Sequence, residues 1–271
     1  MYSRCLSRLL LLVLFAASSV AAQAPKTLRV CADPDNLPYS HEDGSGFENR
    51  IAQLLARELN AQLQYDWLPQ RRGYVRKTMG ANLCDVFIGV PAQFERVTTT
   101  RPYYRSGYTF VYRLGTAPYE SFDDPRLKRV RVGVQLVGDD LDATPPGYAL
   151  ARHGAVDNVR GYTVFGDGPA AQRMIDALAS GELDVALLWG PQAGYFIKHA
   201  AVPLQSSWAQ TPADLTFMPF EFDIAMGVRR GDKVLREALN RVIETHGAQI
   251  DAILDEYSVP RRGIANVATA P

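Results

Sequence analysis

The stretch Ala81-Asn-Leu-Cys-Asp-Val-Phe-Ile-Gly89 consists of a helix end, a turn, an aspartate and a short apolar run. The same layout returns later in the chain as Ser180-Gly-Glu-Leu-Asp-Val-Ala-Leu-Leu188. A short apolar run bounded by turn residues is typical of a strand that is buried on both faces of a parallel sheet. Because the layout occurs twice, the sequence predicts two related α/β lobes.

Strand-like and helix-like segments alternate around these two stretches. The predicted strands are 27–32, 63–67, 84–89, 108–112, 129–134, 158–164, 183–188 and 222–228. The predicted helices are 47–59, 72–81, 147–153, 170–180 and two stretches within 233–255. Such alternation is typical of parallel sheets with right-handed crossovers, so we expect an α/β fold with Rossmann-like lobes.

The late strand and helices can return to the lobe in which the chain begins. We therefore expect lobe 1 to comprise residues 25–113 plus 222–262 and lobe 2 residues 114–221, with a C-terminal tail at 263–271. Two lobes joined by two crossover segments leave a cleft between them, at the carboxyl ends of the strands.

The composition excludes several classes of protein. The 271 residues include 29 Lys and Arg against 29 Asp and Glu, and a formal net charge of zero argues against a broad nucleic-acid interface. Hydrophobic residues make up 47% and aromatic residues 10%, which excludes low-complexity disorder. The chain is also long enough to form one large or two modest hydrophobic cores.

The first 22 residues resemble a cleavable secretory signal. Arg4 and Arg8 flank the start of an apolar run, and Val20 and Ala22 occupy the −3 and −1 positions of a cleavage site after Ala22. The alternative is a membrane anchor, but the run is about half of the ~20 residues that a spanning helix needs. We expect an exported, periplasmic protein without stable membrane insertion.

Two cysteines, Cys31 and Cys84, remain after removal of this segment. Both fall on predicted parallel strands, and an oxidising compartment favours one disulfide between them if their Cα atoms lie within about 7 Å. The alternative is two buried free thiols that pack as small hydrophobic groups. No Cys-x-x-Cys spacing or nearby His indicates a metal site.

Several motifs resemble the periplasmic solute-binding proteins of family 3, which have the bilobal type II periplasmic-binding fold. They are Leu28-Arg-Val-Cys-Ala-Asp-Pro-Asp-Asn-Leu-Pro-Tyr39, Gly46-Phe-Glu48, Asn82-Leu-Cys-Asp-Val86, Glu95-Arg96 and Val132-Gly-Val-Gln135. The resemblance runs from about Leu28 to about Tyr257 and implies a cleft for a small solute.

Three further strings resemble one branch of that family. They are Trp67-Leu-Pro-Gln-Arg-Arg-Gly-Tyr-Val-Arg76, Thr100-Arg-Pro-Tyr-Tyr-Arg-Ser106 and Trp189-Gly-Pro-Gln-Ala-Gly-Tyr-Phe196. That branch, the MoxJ/XoxJ type, accompanies methanol and alcohol dehydrogenases that depend on pyrroloquinoline quinone (PQQ). The resemblance implies a dehydrogenase as protein partner and a role in its maturation.

The resemblance assigns roles in the cleft to three residues. Arg96 matches the arginine that holds a ligand carboxylate through two parallel charge-assisted bonds, although it is also placed to pair with Glu95 or Asp85. Pro91 and Trp189 stand where amino-acid binders have a hydroxyl and an acid for the amino group. Proline has no polar side-chain atom, and tryptophan meets an ammonium only through its ring face, so ordinary amino-acid uptake is disfavoured.

Other candidate cleft residues come from neighbouring loops. Asp33 follows the first strand, and Tyr39 and Phe47 are aromatic residues that can line the cleft with Trp189, unless they only pack in the core. Arg72 belongs to the basic run Arg71, Arg72, Arg76 and Lys77, which is either a patch for an acidic partner or anion or a solvated helix face. Asp139 suits the N-terminus of a helix, and a cation shared with Asp140 and Asp142 is a weak alternative.

No motif indicates catalysis. The chain has no Gly-x-Ser-x-Gly, His-Glu-x-x-His or Walker-type loop, and its four histidines lack metal-ligand spacing. We therefore expect a monomeric, non-enzymatic accessory factor of a PQQ-dependent methanol or alcohol dehydrogenase, without a cofactor of its own. The competing interpretation is the substrate-binding component of an ABC importer for a small anionic or polar solute.

Overall fold

The computed structural model describes residues 26–137, 141–163 and 168–264. The strands are β1 (Lys26–Ala32), β2 (Asp35–Asn36), β3 (Ser40–His41), β4 (Ala61–Trp67), β5 (Val86–Pro91), β6 (Thr98–Arg113), β7 (Val132–Val137), β8 (Asp142–Ala143), β9 (Val159–Thr163), β10 (Val185–Trp189), β11 (Leu204–Trp208) and β12 (Glu221–Val228). The helices are α1 (Phe47–Glu58), α2 (Tyr74–Lys77), α3 (Pro145–Arg152), α4 (Ala170–Ser180), α5 (Gly190–Lys198), α6 (Lys233–Thr245) and α7 (Gly247–Glu256). Short 3-10 helices cover Met79–Ala81, Pro125–Lys128 and Ala213–Leu215. None of the helices in these ranges is long and apolar enough to cross a membrane.

The first lobe is built on strands in the order β4-β1-β5-β12-β6. β1 is parallel to β4 and β5, whereas β12 is antiparallel to β5 and β6. Its core combines residues from the beginning of the chain, such as Ile51, with residues from its end, such as Leu254. The late strand β12 and the helices α6 and α7 therefore pack with the elements in which the chain begins.

The second lobe is built on the order β6-β10-β7-β8, with β9 beside β7 and β11 beside β6. The predicted α/β fold class is thus confirmed, and β6 is common to both sheets. Its residues 98–107 pair with β12, while residues 108–112 pair with β10. The lobe boundaries proposed from the sequence, at 113/114 and 221/222, stay a prediction.

Several elements differ from the sequence prediction. β6 has sixteen residues, although only 108–112 were expected, because Pro102 and the preceding threonines interrupt the apolar pattern. Pro102 is accommodated where the β6–β12 register shifts. The expected helix 72–81 is divided into α2 and a 3-10 turn, and Cys84 precedes β5 instead of lying on it. β11 and α5 were not expected at all.

A disulfide joins Cys31 to Cys84, as predicted. Their Cα atoms are 5.3 Å apart, since Cys31 lies on β1 and Cys84 lies just before its neighbour β5. Both cysteines are buried in a small cluster that includes Tyr74, Met79 and Phe87. The bond therefore fastens the 3-10 turn and its flanks to the sheet.

The segment 257–262 packs across the junction of the lobes. The Ser106 hydroxyl on β6 donates to the Pro260 carbonyl at 2.7 Å. Just before this segment, the carbonyl of Glu256 at the end of α7 accepts from Lys198 of α5 at 2.7 Å. A Cβ atom added at Gly194 of α5 would overlap with the carbonyl oxygen of Ser258. This close approach fixes α5 of the second lobe against the end of the first.

We expect Gly194→Ala to destabilise the protein by about 1–3 kcal/mol, because the new methyl group must displace backbone at the junction. The matched control is Gly247→Ala at the start of α7, where a Cβ meets nothing within 4 Å. Helix propensity alone favours alanine at both sites. Urea unfolding monitored by circular dichroism compares the two, and equal stability of both variants would contradict the close contact.

Replacing both cysteines by serine is expected to cost about 4 kcal/mol, because the bond closes a loop with a sequence separation of 53 residues. The free energy of unfolding is measured in denaturant with and without a reductant. Reductant should lower the stability of the native protein and leave the double variant unchanged. A native protein insensitive to complete reduction would refute this contribution.

Candidate functional site

A cavity of about 350 Å³ lies between the lobes. Its lining includes Ala32 and Asp33 at the end of β1, Pro91 at the end of β5 and Trp189 at the end of β10. These are the carboxyl ends of the strands, where ligands bind in open α/β sheets. We call this space the cleft cavity.

Four residues proposed from the sequence line the cleft cavity: Asp33, Tyr39, Pro91 and Trp189. The Asp33 carboxylate accepts the backbone N–H of Asp35 at 3.0 Å and that of Gln70 at 2.6 Å. Asp33 therefore holds together the loops at the cavity mouth. Asp139 lies outside the described residues.

Phe47 lies behind the cavity wall. Its side chain is fully buried and packs at 5.3 Å between ring centroids against Tyr39, with Tyr104 and Tyr257 on its other sides. Phe47 thus supports the orientation of Tyr39 and belongs to the core of the first lobe.

Trp189 both packs and lines the cavity. Its ring lies 5.3 Å from that of Tyr108 and 5.7 Å from that of Phe222, centroid to centroid. The residue ends β10 and precedes α5, so its position is set by the second lobe. The two alternatives for this tryptophan, packing and ligand recognition, are therefore compatible.

Arg72 and Arg96 lie in a separate groove of about 520 Å³ that adjoins the cleft cavity at Gln70 and Tyr74. Arg71 and Arg76 line it as well, and none of the described residues in its lining is acidic. We call it the arginine groove. Arg96 is exposed and has no ion pair within the described ranges. The Asp85 carboxylate binds Arg29 at 2.6 Å instead.

Glu48 is a cavity residue that sequence reasoning missed. It occupies the first turn of α1, where its N–H donates to the Tyr39 carbonyl at 2.8 Å. The preceding Gly46 approaches the Tyr39 carbonyl so closely that any Cβ would overlap with it. The Glu48 carboxylate then points at Gly89 of β5, where a side chain would overlap with it as well. Glycine at both positions lets the acid reach the cavity.

The environment of Glu48 disfavours its charge. Within the described residues, the lining of the cleft cavity contains no Lys, Arg or His, and the Glu48 carboxylate makes no hydrogen bond or ion pair. Burial raises the pKa of Glu48 from 4.5 to about 8. The phenols of Tyr39, Tyr65, Tyr74, Tyr103 and Tyr104 lie near it, and burial raises their pKa values as well. The Asp33 carboxylate lines the same cavity.

Across residues 26–137, 141–163 and 168–264, no three His, Cys, Asp or Glu side chains are arranged to hold a metal ion. The cleft cavity has instead mostly aromatic and aliphatic walls with a few polar groups, as small-molecule sites do.

This fold and cleft define a bilobal binding protein. Residues 28–259 match the family of bacterial extracellular solute-binding proteins, family 3, and the chain belongs to that family. It is 35% identical to Protein MoxJ of Methylorubrum extorquens (strain AM1) over 92% of this chain and 88% of that protein.

Two solved structures are similar over nearly the whole chain. The periplasmic binding protein XoxJ of Methylobacterium extorquens AM1 is 38% identical, with a TM-score of 0.74 over 88% of this chain and 100% of that chain. MxaJ of Methlophaga aminisulfidivorans MPT is 26% identical, with a TM-score of 0.73 over 87% of this chain and 100% of that chain. The predicted membership of the MoxJ/XoxJ branch is thus confirmed.

The raised pKa of Glu48 predicts how stability depends on pH. Between about pH 4.5 and 8 the unfolded chain has lost this proton while the folded protein retains it, so stability falls as pH rises. The slope from this one group is at most about 1.4 kcal/mol per pH unit. The facing phenols stay protonated over this range.

Glu48→Gln should remove this slope, so the variant should exceed the native protein in stability at pH 8 and approach it near pH 4.5. The free energy of unfolding at several pH values measures the difference, which isolates Glu48 from other titrating groups. A difference that does not vary with pH would show that Glu48 ionises normally.

Proposed function

We propose that this protein is a non-catalytic, periplasmic accessory factor of a PQQ-dependent methanol or alcohol dehydrogenase, and that it aids maturation or activation of that enzyme by binding it. The proposal rests on the similarity to MoxJ, XoxJ and MxaJ, which covers most of the chain. The sequence strings typical of the branch that accompanies such dehydrogenases support the partner.

The observation that carries the proposal is the position of Arg96. This arginine matches the carboxylate clamp of amino-acid binders, yet it lies in the arginine groove and does not line the cleft cavity. Pro91 and Trp189, which do line the cavity, supply neither a hydroxyl nor an acid for an amino group. The elements of amino-acid recognition are therefore absent or displaced, which favours a role other than amino-acid uptake.

The arginine groove is the surface that we propose for the dehydrogenase. The side chains of Arg72, Arg76 and Arg96 are exposed, and none of the three forms an ion pair with any described residue. Exposed arginines that form no ion pair favour contact with a carboxylate-rich surface, which they can bind in bidentate fashion. Steering by such charges acts mainly on the rate of association and weakens with salt.

The test is binding of the purified protein to the PQQ-dependent methanol dehydrogenase of the same organism, measured by surface plasmon resonance. We expect R72E/R96E to bind about tenfold more weakly or worse, because two attractive charges become repulsive. The matched control is R160E/K233E, which reverses two exposed charges that do not line the arginine groove.

Equal binding by both double variants would place the contact elsewhere on the surface. Failure of the native protein to bind the apo or the holo dehydrogenase, or to change its activity on co-expression, would contradict the accessory role itself.

A second candidate, solute binding for an importer, is favoured by the presence of the cleft cavity. An importer component that binds an anionic solute would need Arg96 in the cleft cavity. Arg96 does not line it, and the only acidic or basic side chains in the described lining are Asp33 and Glu48. A thermal-shift screen against small organic acids, amino acids and alcohols tests it. A shift with an organic acid that Arg96→Ala abolishes would restore the importer interpretation.

A further inference from the structure

The cleft cavity combines an acid with aromatic walls. Glu48 enters from α1, and Tyr39 and Tyr104 line the cavity from the first lobe. Tyr108 and Trp189 line it from the second sheet. The hydroxyl groups of Tyr39, Tyr104 and Tyr108 make no hydrogen bond to the described part of the chain, so they too are available to a ligand.

The two acids of the cavity are not equivalent. The Asp33 carboxylate is occupied by the backbone N–H groups of Asp35 and Gln70. The Glu48 carboxylate has no such donors and no cation near it among the lining residues. A recessed carboxylate without a partner is costly to ionise, and a bound cation removes that cost.

Aromatic ring faces attract cations through their quadrupole, and aromatic cages with an acid are a known way to recognise ammonium groups. The cavity volume of about 350 Å³ lies at the low end of the ~300–1,000 Å³ typical of ligand sites, which selects a small guest. Among the residues that the structure describes, no basic side chain lines the cavity to hold a carboxylate.

We propose that the cleft cavity binds a small organic ammonium ion without a carboxylate, such as an alkylamine, with the Glu48 carboxylate as its counter-charge and the rings of Tyr39, Tyr104, Tyr108 and Trp189 around its alkyl part. The ammonium N–H groups donate to the carboxylate and to the free phenol oxygens. This goes beyond the accessory role, since the ligand site and the arginine groove are different surfaces.

Isothermal titration calorimetry on the purified chain alone tests the proposal, with n-butylammonium as probe. The isosteric neutral 1-butanol and the anion butyrate are the comparison ligands. We expect measurable binding of n-butylammonium, at least tenfold weaker binding of 1-butanol, and no binding of butyrate. Equal affinity for n-butylammonium and 1-butanol would show an apolar pocket without charge recognition, and absence of n-butylammonium binding at millimolar concentration would overturn the proposal.

Glu48→Gln keeps the shape of the side chain and removes its charge, so it should weaken n-butylammonium binding at least tenfold. The matched control Glu42→Gln removes an exposed acid from the neighbouring loop outside the cavity and should bind normally. Unchanged binding by Glu48→Gln would overturn the assignment of the counter-charge.

The outcome is separable from that of the accessory role. Glu48→Gln should still bind the dehydrogenase as the native protein does, and R72E/R96E should still bind n-butylammonium. Thermal unfolding of each variant confirms that it is folded before titration.

Discussion

The architecture depends on the backbone hydrogen bonds of one long strand. β6 pairs with β12 along its first ten residues and with β10 and β11 along the rest, so a single extended segment is a member of both sheets. The backbone N–H and C=O groups in the centre of β6 must be hydrogen-bonded in both lobes, because an unpaired buried amide is costly. The register of β6 therefore fixes where the carboxyl ends of β5 and β10 face each other, and the cleft cavity lies between them.

The sequence predicted those strands and helices whose burial leaves a local hydrophobic pattern. Buried apolar runs such as 84–89 and amphipathic helices such as α1 and α4 were predicted with their approximate bounds. A strand buried on both faces leaves a continuous apolar run in the sequence, and a helix buried on one face leaves a helical period. The continuity of β6 left no such signal, since Pro102 is tolerated only through a register shift that depends on the partner strand. The sequence predicted the Cys31–Cys84 disulfide as one of two alternatives, the other being two buried free thiols. The prediction came from the expected oxidising compartment and from the placement of both cysteines on predicted parallel strands.

The candidate site was predicted in part. Asp33, Tyr39, Pro91 and Trp189 follow strands, and the topology alone brings strand ends together. Arg96 was placed in the cleft by analogy with the family, but its side chain lies in the adjoining groove. Glu48 was missed because an acid in the first turn of a helix is expected for the helix dipole alone. Its orientation depends on Gly46 and Gly89. Gly89 is distant in sequence and lies beside the Glu48 carboxylate only in the folded chain, so nothing in the local pattern marks Glu48 as a cavity residue.

The contacts of the segment 257–262 constrain when the chain can complete its fold. The second lobe consists largely of consecutive residues, whereas the first needs β12, α6 and α7 to complete its core. Ribosomes synthesise the N-terminus first, so β5 and α1 must wait for most of the chain before their late partners, β12 and α7, exist. The contacts of Ser106 with Pro260 and of Gly194 with Ser258 need residues that are among the last of the fold to be synthesised. The contacts that hold α5 of the second lobe against the end of the first are thus complete only when residues 257–262 are present, and a nascent chain without them lacks these contacts.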